Sequence, residues 1–417
     1  MIENDSATNL SEFGCIQPLH WETSGRDSMK RALVKLSISA VLLLHFSIAV
    51  AKAQTHSAVP VDLDIPVAPT PVKADGKVHL VYELHITNFD KPARDLTLTR
   101  VEVLGDSQDA APLVRLVGED LAKQMARPGA GEKLPDKRRI AGGMRAVLFI
   151  WITVDSAAAV PRTLRHRLAF AIEKVNGERT VEGASVEVRR DAPLVIGPPL
   201  HGDGWMAANG PSNRAENEHR RAINTVDGRA RIAQRFAIDW IKFGANGQLW
   251  SAGAEKNANW FGYGAEIIAV ADAVVASVND AVPENKPDTE SRAVPITLET
   301  IGGNYVILDL GDGRYALYAH MQPGQIRVKA GDKVRRGEVL GLVGNSGNSD
   351  GPHLHFQICD ANSPLGSEGL PFVFESFEKL GQGVLTDNGA SWKPLPNGKA
   401  EEHRMEIPLE NVVVRFP

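Results

Sequence analysis

From residue 79 onward the chain is a series of short runs in which apolar and polar residues alternate, cut by Gly, Pro, Asn and Asp. This period of two constrains the fold more than any other feature, because it places one apolar face on each run, and a face of that kind is buried only in a sheet. In His79–Thr87 the apolar face holds Leu80, Tyr82, Leu84 and Ile86. Residues 96–104, 146–154, 165–172 and 180–188 continue the pattern, and after a break it resumes in 266–278, 305–310, 315–320 and 328–343. Gly311-Asp312-Gly313, Gly331-Asp332 and Gly337 punctuate the second series as turns.

The spacing of the first series predicts an immunoglobulin-like β-sandwich over residues 58–195. With 417 residues the chain has material for a second buried core. The Gly/Pro/Asn-rich stretch 196–213 marks the boundary, so 196–230 reads as a connecting segment, 231–365 as a second all-β domain and 366–417 as a C-terminal extension. Phe372, Phe374 and Phe377 of that extension are expected to pack on the second domain, and the run ending at Phe416 to add a strand.

A net charge of -5 without a basic cluster gives no electrostatic footprint for nucleic acid. Near the start, Lys30, Arg31 and Lys35 precede an apolar run over 36–50 and then Ala51-Lys52-Ala53, a small-x-small cleavage site. The pattern is that of a secretory signal peptide, with translation starting at Met29 and the mature chain at Gln54. The run is shorter than the ~20 residues that cross a bilayer, so no stable membrane anchor is expected after cleavage. The expected location is periplasmic or extracellular. Of the two cysteines, Cys15 leaves with the leader and Cys359 remains, read as a small buried residue.

The segment with most chemistry is Gly351-Pro352-His353-Leu354-His355-Phe356-Gln357-Ile358, which follows a turn-rich stretch, 344–350. As a strand it sets His353, His355 and Gln357 on one face and Leu354, Phe356 and Ile358 on the other. A bare H-x-H is more often a pair of surface or satisfied core histidines than a metal or catalytic site. His79, His85 and His166 lie on strands of the first series with no mutual spacing that suggests a site, and are read as structural or exposed.

Taken together, five elements raise the value of the H-x-H. The Asp239 strand, Gly303-Asn304-Tyr305-Val306, Tyr318-Ala319-His320, the stretch from Gly331 to Gly337, and the H-x-H run follow one another with the order and spacing of the lysostaphin-type zinc metallopeptidases. Residues 230–362 resemble that family. The resemblance implies an antiparallel duplicated hybrid-motif (barrel-sandwich) fold, a catalytic Zn2+, and a peptide substrate such as the cross-links of peptidoglycan. It further implies that Asp239 and His355 bind the metal and that His320 and His353 form the catalytic pair, with Asn304 near the substrate. The related carrier-domain function is disfavoured, because no lysine sits at a suitable hairpin tip.

The family's first ligand is a histidine four residues before the aspartate, and here that position is Arg235. A guanidinium has no acceptor lone pair and stays charged, so it does not ligate a cation. Three readings follow. Arg235 pairs with Asp239 in the metal's place, which makes the chain a metal-free module that binds cell wall or regulates another wall hydrolase. Or it binds a substrate carboxylate. Or it turns aside and another histidine completes the site, with His219 the first candidate and His201 the second. His403, in the charged tail, has no expected role. Trp250, Trp260, Phe261 and Tyr263 are candidates to line a groove, and the polar loop 279–294 to rim it.

Overall fold

The computed structural model describes residues 59–417 except 92, 108–109, 131–133 and 387–388. The leader, Met29, Cys15 and the Ala51-Lys52-Ala53 cleavage site lie outside the described residues. No helix among the described residues is long and apolar enough to cross a membrane. The fold is all-β, as the alternation predicts, and its pairings are antiparallel except between Leu194–Ile196 and Phe372–Thr386.

The first series of strands forms two sheets. One runs Val61–Asp64, Lys77–Asn88, Arg145–Val154, Met125–Ala126, with Val72–Ala74 also on Lys77–Asn88. The other runs Glu178–Glu187, Thr163–Ile172, Leu96–Leu104, Val114–Val117, with Arg139–Ile140 on Leu96–Leu104. Between them Leu80, Tyr82, Leu84 and Ile86 meet Leu98, Val101, Val103, Leu168 and Phe170 in one core. The opposite face of Lys77–Asn88 is buried as well: His79, Val81, Glu83 and His85 all point away from the sandwich interior and are covered. Val81 joins the core of the second half of the chain, and Phe149 of the neighbouring strand packs on Ile232. The sandwich therefore lends a wall to the rest of the molecule.

His79, His85 and His166 are all buried. Tyr82 donates to His166 Nε2 at 2.7 Å, and His166 Nδ1 donates to the Ala184 carbonyl at 2.9 Å. Burial pushes His166 down to about 4.

The second half centres on one large sheet. Its strands run Leu194–Ile196, Phe372–Thr386, Val412–Phe416, Gly202–Ala208, Ile238–Lys242, Leu354–Cys359, Tyr315–Met321, Asn304–Asp309, Ala273–Asn279 and Lys333–Val334. The segment read as a connection thus carries an inner strand, Gly202–Ala208, paired on one side with Val412–Phe416 and on the other with Ile238–Lys242. Trp240 lies edge-to-face with Phe374 and Phe416, at ring-centroid distances of 6.0 and 5.1 Å. Phe372, Phe374, Phe377 and Phe416 belong to the same core as Phe356 and Tyr318, so the C-terminal extension is built into the sheet. Cys359 is buried at the end of its strand.

Candidate metal centre

Neighbouring strands in the middle of this sheet bring the polar groups together. In the antiparallel ladder Asp239 stands directly opposite His355, and His355 opposite Ala319 on its other side. Leu354, Phe356 and Ile358 point into the core, as their period requires, so His355 and Gln357 share the other face. His353 lies one residue before the strand, and His320 near the end of Tyr315–Met321.

The third histidine comes from the connecting segment. A one-turn helix, Glu218–Arg221, is capped by Asn217, whose side chain accepts from Arg220 N–H, and it turns His219 toward Asp239. His219 Nε2 lies 3.2 Å from Asp239 Oδ2, and His355 Nδ1 lies 2.9 Å from Oδ1. One donor atom from each of His219, Asp239 and His355 lies within 4.8 Å of the others, and all three residues are buried. His353 Nε2 approaches Asp239 Oδ1 at 3.4 Å, and Asn209 donates to Oδ2 at 3.0 Å.

The far side of each ring decides which nitrogen faces inward. His219 Nδ1 donates to the Asn209 carbonyl at 3.0 Å. Gln357 donates its amide to the Pro364 carbonyl, so its Oε1 is the acceptor for His355 Nε2–H at 3.0 Å. The proton of each neutral ring is thereby held outward, leaving the lone pairs of His219 Nε2 and His355 Nδ1 toward Asp239. Outer hydrogen bonds of this kind orient histidines that ligate metals. Two imidazole nitrogens and a carboxylate oxygen form a donor set suited to zinc with a fourth position open, so the residues fit the metal that the resemblance implies.

The electrostatics centre on Asp239. Burial opposes ionisation of Asp239, but the neighbouring His219 and His353 outweigh it and hold the carboxyl well below its usual range. Burial alone would discharge His219 and His353, and the Asp239 carboxylate reverses this and raises both. His320 behaves oppositely. Burial, with His353 and His355 beside it, holds it well below the ordinary histidine range. Its ring centroid is 4.8 Å from that of His353, its Nδ1 donates to the Ser346 carbonyl at 2.7 Å, and its backbone sits at φ 64°.

Arg235 is not at this site. It is buried, donating to Glu83 of the sandwich at 2.7 Å, to Glu368 at 2.9 Å and to the Gly369 carbonyl at 3.0 Å. The expected pairing with Asp239 and the expected contact with substrate are both corrected, since its charge is spent on two carboxylates away from the cleft. Asn304 is likewise corrected: it is fully buried, exchanges hydrogen bonds with the Val282 backbone and donates to the Met321 carbonyl, tying loops together. His201, the second candidate ligand, is exposed and bonds the Pro417 carbonyl.

The site opens into a cleft of about 1060 Å³ whose lining includes Glu218, Trp250, Trp260, Asp288, Arg292 and Leu385. Trp250 and Trp260 are therefore at the groove, their rings 5.1 Å apart, and the 279–294 loop contributes two of its rim residues. Tyr263 instead donates to Glu284 at 2.8 Å, and Phe261 packs near Gly244. Gln357, placed on the face of His355 by the strand period, orients that ring, whereas Asn209, which donates to Asp239, carried no signal in the sequence.

Residues 260–366 match the model of Peptidase family M23. The match takes in His320, His353 and His355, and begins after His219, Arg235 and Asp239. Among curated proteins the chain is similar to the peptidoglycan DD-endopeptidase ShyA of Vibrio cholerae, 41% identical over 63 residues, or 15% of this chain and 14% of that protein. It is also similar to lysostaphin of Staphylococcus simulans, 32% identical over 95 residues, or 22% and 19% of the two chains. The chain thus spans less than a fifth of the length of either relative. Among solved structures, the catalytic domain of that lysostaphin is 18% identical with a TM-score of 0.22, covering 40% of this chain and 88% of the other. A zinc-containing peptidase from Vibrio cholerae is 16% identical with a TM-score of 0.20, covering 69% and 80%.

Proposed function

We propose, from the match of residues 260–366 to the model of Peptidase family M23, that the chain is an exported zinc metalloendopeptidase that hydrolyses peptide cross-links of peptidoglycan. The observation that carries this reading is the convergence of His219 with Asp239 and His355, within 4.8 Å. It restores a ligand where Arg235 had removed one.

In this reading His219 Nε2, Asp239 and His355 Nδ1 hold the zinc. When bound, the metal lowers the pKa of a water toward about 7 and polarises the scissile carbonyl. The chain's own residues do the rest. His320 donates through Nδ1 to Ser346, so its neutral Nε2 offers a lone pair that takes the proton of the attacking water. His353 donates through Nδ1 to the Gly351 carbonyl at 2.8 Å, and in the protonated form that Asp239 favours, its Nε2–H donates to the carbonyl oxygen and steadies the charge growing there. Trp250 and Trp260 give the cleft an apolar wall for a peptide stem. The peptidoglycan substrate is supported by the names of the matched relatives, and export by the basic, apolar and small-x-small order of residues 30–53. The reading as a metal-free binding or regulatory module drew on Arg235, and the turn of Arg235 toward Glu83 removes that support.

Elemental analysis of the purified protein tests this directly. About one zinc per chain is expected, lost in Asp239→Ala and His219→Ala, together with cleavage of isolated sacculi. Protein that takes up no zinc would overturn the metallopeptidase, and zinc-loaded protein that leaves sacculi and cross-linked muropeptides uncut would overturn the substrate.

A further inference from the structure

A helix of four residues does not hold its own position, because nucleation costs more than one turn of hydrogen bonds returns. Something else must hold His219 where it is. The two residues that follow it both reach into the N-terminal sandwich. Arg220, 1% exposed, pairs with Glu83 and donates to the Tyr82 carbonyl at 2.9 Å and the Ile150 carbonyl at 3.4 Å. Arg221 lies over the Phe149 ring at 4.2 Å and donates to Gln124 Oε1 at 2.7 Å. Arg220 lies near the same ring, at 4.8 Å, so Phe149 is gripped by two guanidinium groups.

Glu83 does more than anchor Arg220. It also accepts from Arg235, which stands four residues before Asp239. One carboxylate on the sandwich strand Lys77–Asn88 therefore braces both the segment that carries His219 and the segment that carries Asp239. The arginine that replaces a ligand in the sequence and the arginine beside the substitute ligand share a single counter-ion.

We propose that the N-terminal sandwich is a working part of the metal centre: Glu83, Phe149 and Gln124 hold Arg220 and Arg221, and these positioning residues set His219 opposite Asp239. The inference rests on the zinc reading of the site. It makes the sandwich a support for a ligand, distinct from a detachable wall-binding or covering module.

The test uses the full protein in metal-free form, titrated with zinc against a competing chelator and with Co2+ followed by its visible absorption. Two variants remove the grip, Glu83→Gln in the buried cluster and Arg221→Met at the half-buried end, where the stem still covers Phe149. Arg221→Met is expected to keep the far-ultraviolet circular dichroism of the parent, to bind zinc roughly 10–100-fold more weakly, and to alter the Co2+ spectrum. Glu83→Gln is expected to do the same where it folds. A purely structural role would lower thermal stability while leaving zinc affinity and the Co2+ spectrum of folded protein unchanged, and that result in Arg221→Met would overturn the proposal. Failure of the underlying reading looks different: the parent itself would take up no zinc, or His219→Ala would bind it as well as the parent does.

Discussion

At the residue scale, the site turns on where one charge is neutralised. The position four before Asp239, where the resemblance implies a ligand histidine, holds Arg235, and Arg235 is kept from the site because Glu83 and Glu368 neutralise it elsewhere. The roles of the histidines then separate by what holds their outer nitrogens. Gln357 fixes the His355 ring, so on the proposed zinc reading Gln357→Ala is expected to weaken zinc binding by roughly 10–100-fold, measured by chelator competition. His320 faces the open side with its Nδ1 on Ser346. On the proposed zinc peptidase reading, His320→Ala is expected to keep bound zinc and to lower cleavage of muropeptides by about 10²–10⁴-fold; a loss of zinc instead would make it a ligand. H-x-H-x-Q was legible in the sequence because a strand's period fixes which side chains share a face. The partner of Arg235 was not, since Glu83 lies 152 positions away and nothing local marks it.

At the scale of elements, the site depends on loops that approach more closely than side chains allow. Gly303 has φ +60°, and a Cβ there would lie 2.4 Å from the backbone and side chain of Ser346. Ser346 supplies the carbonyl that orients His320, and its hydroxyl accepts from Asn304 N–H at 2.9 Å. Gly303→Ala therefore has to move Ser346 away. It is expected to cost about 1–3 kcal/mol of stability in urea unfolding and to lower activity further than that loss explains, because His320 turns with its partner. Unchanged activity in a destabilised variant would separate the loop from the catalytic geometry. Strands with long alternating runs, such as Lys77–Asn88, were legible from residue pattern alone. Gly202–Ala208 was not, because its place in the sheet comes from Val412–Phe416 and Ile238–Lys242 and its Gly-rich surroundings read as a linker. The one-turn helix of His219 escaped for a related reason: four residues carry no period.

At the scale of the whole molecule, the buried ion cluster joins the sandwich to the sheet and gives the fold a pH dependence. Burial opposes the charge of Glu83, but Arg235 and Arg220 prevail and bring it down to about 2 from an ordinary 4.5. The unfolded chain therefore takes up this proton first as pH falls. The stabilisation is complete above about 4.5 and is lost as pH drops through about 2, on the order of 3 kcal/mol in all. Glu83→Gln is expected to cost about 3–5 kcal/mol near neutral pH. In urea titrations the gap between variant and parent should narrow as pH falls through that window, because the parent then carries a neutral group as well. A gap that stays constant with pH would place the loss in packing and remove the charge argument.

The sequence by itself determined the all-β class, the two series of strands, the shared face of His355 and Gln357, and the resemblance that singled out Asp239, His320, His353 and His355. The class, the strands and the shared face follow from period along the chain, which short-range sterics and burial impose on every strand, whereas the site residues were singled out by the resemblance alone. Only the tertiary structure decided that His219 stands beside Asp239, that Arg235 looks toward the sandwich, and that Glu83 braces both segments. Each of those depends on which distant group neutralises or accepts from a buried one, and a buried charge takes whatever partner the assembled core brings within reach.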